Sequence, residues 1–476
     1  MASIAVPGTS EQIFENYLAH ALRSHWSGLA DSTRLATKRE LLDYLGAAVA
    51  GRAAVGMPAW LQVLLDFGGR PDARVLGGPR APAHTAALCN GYFGHVLEFD
   101  DTHDEAVLHA GSATIPAAFA AAGLRGGVTG AEFCEAVLHG IELTCRLGVA
   151  TRLNLVEGGW IYTALLGHFG ATFAASWLID RRPEVMKNAL GIVYCLASGN
   201  HQSTREGAST KHVQPGFAAA NAITAALMAS KGLDGVSQPL SGEDGLSRVY
   251  LHGSLDTERA LSKLGTRYEI ERLSFKPYPT CRLTHPAISA ALELRQQLGT
   301  DIKRIERVEL LVGPQAHDVV GRDIPQRRSP VTRVAAQFSN YWTVATALLH
   351  GEVTPLQLAT EIPPSRELAA VIAKVSCTAD NAATSRDIGG CRVRAHGPFG
   401  IKEVQHSNAK GHPDAPLTQQ ELLEKFIANL RYAGVATAEA AELADTISEI
   451  DELDDVTVLA DRICGLVRDS EPLKRR

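Results

Sequence analysis

From the N-terminus to about residue 265 the chain is written in alanine, glycine and helix-forming apolar residues, and this texture limits the fold more than any other feature. Runs such as TALLGHFGATFAASWLI and GFAAANAITAALMAS describe helices with little side-chain bulk. Such helices approach one another closely and are apolar nearly all round, which predicts a buried central bundle. ATKRELLDYLGAAVAG has apolar positions at helical spacing and ends at Gly51, read as a C-terminal cap. TGAEFCEAVLHGIELTCRLG starts at Thr129 with Glu132 at the capping-box spacing and keeps Phe133, Val137, Ile141 and Cys145 near one side.

The texture changes after SFKPYPTCRLTHPAISAALELR. β-Branched content and a flanking Gly-Pro predict a strand in DIKRIERVELLVGP, and VIAKVSCTAD and GCRVRAHG read as two further short strands. A long helix is expected in TRVAAQFSNYWTVATALLHG, and ELLEKFIANLRYAGV and ELDDVTVLADRICGLV return to helix. The expected fold class is mainly α. A large all-helical domain occupies residues 1–268, a smaller α+β domain 269–402, and a C-terminal helical segment, 403–476, rejoins the large domain. The crevice between two such units is where a small-molecule site is expected.

Composition removes several function classes. A net charge of -6 with dispersed Lys and Arg supplies no basic field for nucleic acid. No apolar run reaches the roughly 20 residues needed to cross a bilayer, and MASIAVPGTSEQIF lacks the pattern of a secretory signal. A cytoplasmic protein without nucleic-acid or membrane partners is expected. The eight cysteines include no C-x-x-C pair and are read as reduced thiols. Dinucleotide, phosphate-loop, zinc-protease and serine-hydrolase motifs are missing, and SGEDGLSRVY is read as a structural turn.

The polar chemistry gathers in LEFDDTHDEAVLHAG, residues 97–111, where two histidines and five carboxylates lie between two alanine-rich runs, the second opened by Pro116. A loop held between buried helices is a preorganised platform. Asp100 and His109 are expected to line a cleft, with His103, Asp104 and Glu105 nearer its rim on a segment that bows outward. A mixed oxygen–nitrogen metal site from His103 and His109 with Asp100, Asp101 or Asp104 is the competing reading. GASTKHVQPG adds Lys211 and His212 before a Pro-Gly turn, FKPYPTCRLTH adds Lys276, Cys281, Arg282 and His285, and LVEGGWIYTALLGHFG adds Gly158, Gly159 and Trp160. Lysines in stiff loops among histidines would attract a di- or tricarboxylate, and the carboxylates near 100 would handle protons.

Taken in order, NGYFGHVLEFDDTH, His109, TKHVQPG, SGEDG and FKPYPTCRLTH resemble the motifs of the MmgE/PrpD superfamily, which holds 2-methylcitrate dehydratases, cis-aconitate decarboxylases and iminodisuccinate epimerase-like proteins. The resemblance runs from LLDYLGAAVAG through AAQFSNYWTVATALLHG. It implies a large helical domain built from both chain ends, a smaller α+β domain, a homodimer, and no metal or organic cofactor. Its acidic signature falls on Asp100 and Asp101, with Glu98 where Asp is frequent, and its next histidine on His109 after a loop containing His103. Its pocket lysines fall on Lys211 and Lys276, and His285 closes the last motif. Cys281 stands where some decarboxylating members carry histidine. One departure is Ile161, where decarboxylases and many dehydratases place a histidine; Tyr162 and His168 are candidates to replace it.

The expected activity is a cofactor-independent lyase that dehydrates a small hydroxy di- or tricarboxylate. His109, Asp100, Lys211 and Lys276 are the expected catalytic groups. Glu98, Asp101, His103, Trp160, Tyr162, His212, Cys281, Arg282 and His285 are the expected substrate contacts. The alternatives are epimerisation or isomerisation of a related polycarboxylate, decarboxylation (ranked lower because Ile161 removes a polar group), and a noncatalytic anion-binding or interaction protein.

Overall fold

The computed structural model describes residues 11–153, 158–380, 382 and 390–468. The alanine-rich text forms long helices, among them Asp31–Val55, Ala83–His95, Gly111–Arg125, Gly130–Ala150, Gly167–Ile179 and Thr210–Ser230. At the centre stands Gly167–Ile179, buried from Gly167 to Leu178 and packed by Gly111–Arg125, Gly130–Ala150 and Thr210–Ser230. Missing side chains set these approaches. A Cβ on Gly170 would lie 2.2 Å from the Gly140 carbonyl oxygen, and one on Gly216 would lie 2.5 Å from that of Leu88. Alanine at either glycine would force the helices apart.

Several local expectations shift for the same reason. Gly51 lies inside its helix, which ends at Gly56 in a positive-φ turn; a Cβ on Gly51 would meet the Phe93 carbonyl oxygen at 2.0 Å, so its service is close packing. Thr129 does cap its helix, accepting from the Glu132 N–H. The helix containing Pro116 begins at Gly111, and that containing Pro215 and Gly216 begins at Thr210, so Lys211 and His212 occupy a first helical turn. Each proline is the sixth residue of its helix and so removes one i→i−4 hydrogen bond, and the close packing of the neighbouring helices carries both runs through it.

The helical part carries four two-residue strands: β1 (Ala73–Arg74) pairs antiparallel with β2 (Arg80–Ala81), and β3 (Thr102–His103) with β4 (Leu273–Ser274). The second pairing fastens the acidic loop to the segment leading into FKPYPTCRLTH. In the smaller mixed region β5 (Arg307–Val312), β6 (Val375–Ala379), β7 (Cys391–Gly397) and β8 (Gly400–His406) form one sheet of order β6-β5-β7-β8. β5 and β6 run parallel and the other pairs antiparallel. β8 crosses the expected boundary at residue 402; its exposed face and charged residues hid it from a pattern reading. Helix His285–Leu298 covers β7 and β8 and packs against Asn340–His350. Helix Gln419–Tyr432 returns to Asp31–Val55, and its Lys425 Nζ donates to Asp43 Oδ1 (2.6 Å) and to the Phe99 carbonyl (2.7 Å). The molecule is thus a large mainly helical domain with a smaller mixed α/β region. Among the described residues no single helix is long and apolar enough to cross a membrane.

Candidate active site

Helix Ala83–His95 delivers His95 to a fully buried position, and the chain then turns sharply through Glu98, whose φ is +52°. A second turn at Val107, φ +54°, closes the loop before His109. Each left-handed non-glycine residue costs about 1–3 kcal/mol, so the surrounding packing holds this loop against local preference. Both residues line a cavity of about 60 Å³, together with His109, Ile161, His201, Thr204, Lys211, Cys281, Arg282, Val319 and Phe338 among others. At roughly 15 Å³ per water it has room for about four waters.

Glu98 is the hub. Its Oε1 accepts a close hydrogen bond from Lys211 Nζ and lies 3.4 Å from His212 Nε2 and 3.5 Å from His95 Nε2. Its Oε2 lies 3.4 Å from Lys276 Nζ, which also donates to the Glu98 carbonyl at 3.0 Å. Lys211 Nζ donates to His95 Nε2 at 2.7 Å, and His95 Nδ1 lies 2.7 Å from Asp100 Oδ2. Because the ammonium only donates, His95 Nε2 is the acceptor and Nδ1 carries the proton donated to Asp100. The result is a relay, Asp100–His95–Lys211, ending at the cavity. Burial and the two lysines push His95 well below the usual imidazole range. Burial and Lys276 push Lys211 well below the usual lysine value.

His109 Nδ1 donates to the Asp101 carbonyl, which leaves Nε2 with a free lone pair. Burial, with Lys276 adding to it, lowers His109 to about 3, so the ring is neutral across the physiological range. Asp101 faces away from the cavity: its carboxylate accepts from the Ala110 and Gly111 N–H groups at the start of helix Gly111–Arg125. Burial and Asp100 raise its carboxyl to about 8.

Of the sequence-expected residues, Glu98, His109, Lys211, Cys281 and Arg282 line the cavity. Asp100 and Lys276 stand behind that wall, fully buried, and act through His95 and Glu98. His212 touches Glu98 from the side, and His285 bonds the Thr280 carbonyl, fixing the turn that presents Cys281. The Tyr162 hydroxyl donates to the Leu153 carbonyl, and His168 bonds the Ala164 carbonyl and Asn221. Neither lines the cavity, so neither supplies what Ile161 lacks. Trp160 packs on Tyr250 outside the wall. The expected outward bow of residues 104–108, and of His103 toward the rim, is corrected too. β3 pairing with β4 draws it inward, His103 is buried against Glu269, and Asp104 grips Arg282 at 2.8 Å; only Glu105 is exposed, paired with Arg259.

His95, Asp100 and His109 offer ligand atoms that all lie within 4.8 Å of one another, the arrangement a metal ion could use. Both His95 nitrogens are already committed, to Asp100 and to Lys211, and two buried ammonium groups beside the cluster oppose a cation.

The MmgE/PrpD N-terminal domain model matches residues 17–258, and the MmgE/PrpD C-terminal domain model matches residues 278–450. The chain belongs to the MmgE/PrpD family. Among its MmgE/PrpD relatives, cis-aconitate decarboxylase of Aspergillus terreus (strain NIH 2624 / FGSC A1156) is 25% identical over 88% of this chain and 89% of its own length. Cis-aconitate decarboxylase of Homo sapiens is 27% identical over 92% and 91%. Cis-aconitate decarboxylase-like protein oryM of Aspergillus oryzae is 26% identical over 82% and 84%.

Sequence reasoning gave no site role to Thr163, His201, Thr204, Val319 and Phe338, and named His95 only as one of three residues of its stretch, with His84 and Asn90, able to carry polar chemistry. A signal existed for His95 alone, a histidine closing a helix of small buried residues just before the acidic loop. Thr163 lies two residues after Ile161 in a segment already singled out, and the others reach the cavity from segments that carry no local mark.

Proposed function

We propose that this MmgE/PrpD enzyme decarboxylates a small unsaturated di- or tricarboxylate. The supporting observation is the two-sided cavity: Lys211, with its depressed pKa, faces a wall containing Val107, Ile161, Leu283, Val319 and Phe338. A carboxylate pressed against such a wall loses water and is destabilised, whereas the neutral carbon dioxide formed from it is not. The C–C bond to that carboxylate breaks, and its electron pair spreads through the adjacent double bond onto a retained carboxylate. Lys211 Nζ then gives its proton to the carbon, and the neutral amine regains one from water after product leaves. Lowering an ammonium pKa makes it a stronger acid for this step. Ile161, which weighs against decarboxylation when read alone, fits as part of the desolvating wall. The names of the relatives favour the same class.

Dehydration of a hydroxy polycarboxylate, or epimerisation, is the second reading. It is favoured by the neutral His109 ring, whose free Nε2 can take a proton from carbon next to a carboxylate. Incubation with cis-aconitate, citrate and malate in deuterated water, followed by mass spectrometry and carbon dioxide capture, separates the two. Carbon dioxide release with one solvent deuterium in the product is expected. Water loss or solvent exchange without carbon dioxide would replace the first reading by the second.

A further inference from the structure

The cations that the sequence offers to an anionic ligand are already engaged. Lys211 and Lys276 share Glu98, and the Arg282 guanidinium is held by Asp104 with its remaining nitrogen on the Lys410 carbonyl. Among the described residues, a different cation has no carboxylate partner. Arg327 is only 4% exposed, its Nη2 donates to the Val319 carbonyl at 2.9 Å, and its Nε and Nη1 have no partner among the described residues. Two guanidinium donors left buried and unused are costly unless a ligand restores them.

The place of Arg327 gives this meaning. Val319, whose carbonyl it holds, lines the cavity, and its charge acts on Cys281 and His201, which line it as well. His201 and Thr204 are both more than nine-tenths buried, and His201 Nδ1 and Thr204 Oγ1 have no hydrogen-bond partner among the described residues. They are neighbours on one short turn, whose backbone is pinned where the His201 N–H donates to the Gly159 carbonyl at 2.9 Å. The charges acting on His201 are two guanidiniums, Arg205 and Arg327, with no carboxylate to answer them. Arg205 is engaged by Asp318, which leaves Arg327. The same turn bridges the segment carrying Ile161, since the Ile161 N–H donates to the Gly199 carbonyl.

We infer that His201, Thr204 and Arg327 form an anion subsite that receives a second carboxylate of the substrate and so selects polycarboxylates over monocarboxylates. His201 and Thr204 supply N–H and O–H donors at the wall, and Arg327 supplies the balancing charge from behind Val319. His201 thereby brings an imidazole to the cavity that Ile161 cannot, from a neighbouring segment. Burial lowers Arg327 to about 10, so the guanidinium is still cationic at neutral pH. The subsite rests on the reading that the ligand is a polycarboxylate, but not on which bond breaks.

The test is therefore binding, with unreactive probes: propane-1,2,3-tricarboxylate, succinate and butyrate, followed by calorimetry on the full chain. The wild type is expected to bind the tricarboxylate and succinate well above butyrate. Arg327→Gln should weaken the two polycarboxylates about tenfold or more, the loss of a buried balancing charge, and leave butyrate within twofold. Thr204→Val, nearly isosteric and without the hydroxyl, should weaken them severalfold and serves if R327Q folds poorly. Equal weakening of all three probes, or unchanged polycarboxylate binding in a folded R327Q or T204V protein, would overturn the subsite. A wild type that prefers none of the probes would overturn it too. Selective loss in R327Q without carbon dioxide release from cis-aconitate by the wild type would keep the subsite and remove only the proposed decarboxylation.

Discussion

His103 and His109 leave one short loop in opposite directions, and each enters a buried ionic network. The His103 network is closed. His103 Nε2 meets Glu269 Oε2 at 3.1 Å, the Glu269 N–H donates to Glu142 Oε2 at 2.6 Å, and Glu142 Oε1 accepts from Arg146 Nε at 2.7 Å. The remaining Arg146 nitrogens donate to the carbonyls of Ala260, Ser262 and Arg267. The His109 network borders a cavity and leaves atoms unused, including Asp100 Oδ1 and His212 Nε2. Burial of charge is common to both. What separates a structural network from a site is whether its last donors and acceptors are spent on protein or kept for a ligand.

The largest effect expected from breaking this contrast is at Lys211. Lys211→Met keeps the length of the side chain and removes the ammonium, which stands 5.1 Å from the Phe338 ring centroid, so turnover should fall by about 10²–10⁴-fold, the span of general acid–base catalysis. Circular dichroism and melting would check that the fold survives. A K211M enzyme within tenfold of wild type would place the proton donor elsewhere. The mirror experiment on the closed network is Arg146→Met. It strands the Glu142 carboxylate in the core and should cost about 3–5 kcal/mol of stability. Turnover per folded molecule should stay near wild type, and a specific loss of turnover at full stability would mean that the two networks communicate.

A subtler break is His95→Gln, which keeps hydrogen-bonding capacity but cuts the relay to Asp100. The limb of the pH–rate profile set by Lys211 should move by about one unit, with KM changed little, because the imidazole and carboxylate act on Lys211 and not on substrate. An unmoved limb with a raised KM would make His95 a contact instead.

The helical bundle, the strands β5, β6 and β7, and the loop's importance are legible in the sequence because each is a local pattern: small-residue helices, β-branched runs, clustered acids. β8 is not, since an edge strand with its charges outward lacks apolar alternation. The helix containing Pro116 begins earlier than the pattern suggests because Asp101 caps Ala110 and Gly111 across the loop, a contact no local rule encodes. At the site, Glu98, His109 and Lys211 are marked by residue type. Asp100 and Lys276 carry equal marks but stand behind the wall, a difference decided by which neighbour is interposed. His201, Thr204 and Arg327 come from segments more than a hundred residues apart at the extremes, and only tertiary packing assembles them.

The smallest effect concerns His109, and its sign follows from proton counting. The folded ring is lowered to about 3, first by burial and then by Lys276, while an unfolded histidine titrates near 6.5. Between those values the unfolded chain binds a proton that the folded chain refuses, so this residue makes stability fall as pH drops below about 6.5 and contributes nothing above it. His109→Gln removes the penalty. One unit below the unfolded pKa, at about pH 5.5, the variant should gain about 1.4 kcal/mol relative to its own offset at pH 8. Urea melts of both proteins at the two pH values measure the difference directly. The same refusal keeps the ring neutral in the working enzyme, so no limb near 6.5 from His109 is expected in the rate profile. A limb there that vanishes in H109Q would mean the ring is solvated enough to charge, and the line between the closed network and the open one would have to be drawn through the cavity instead of beside it.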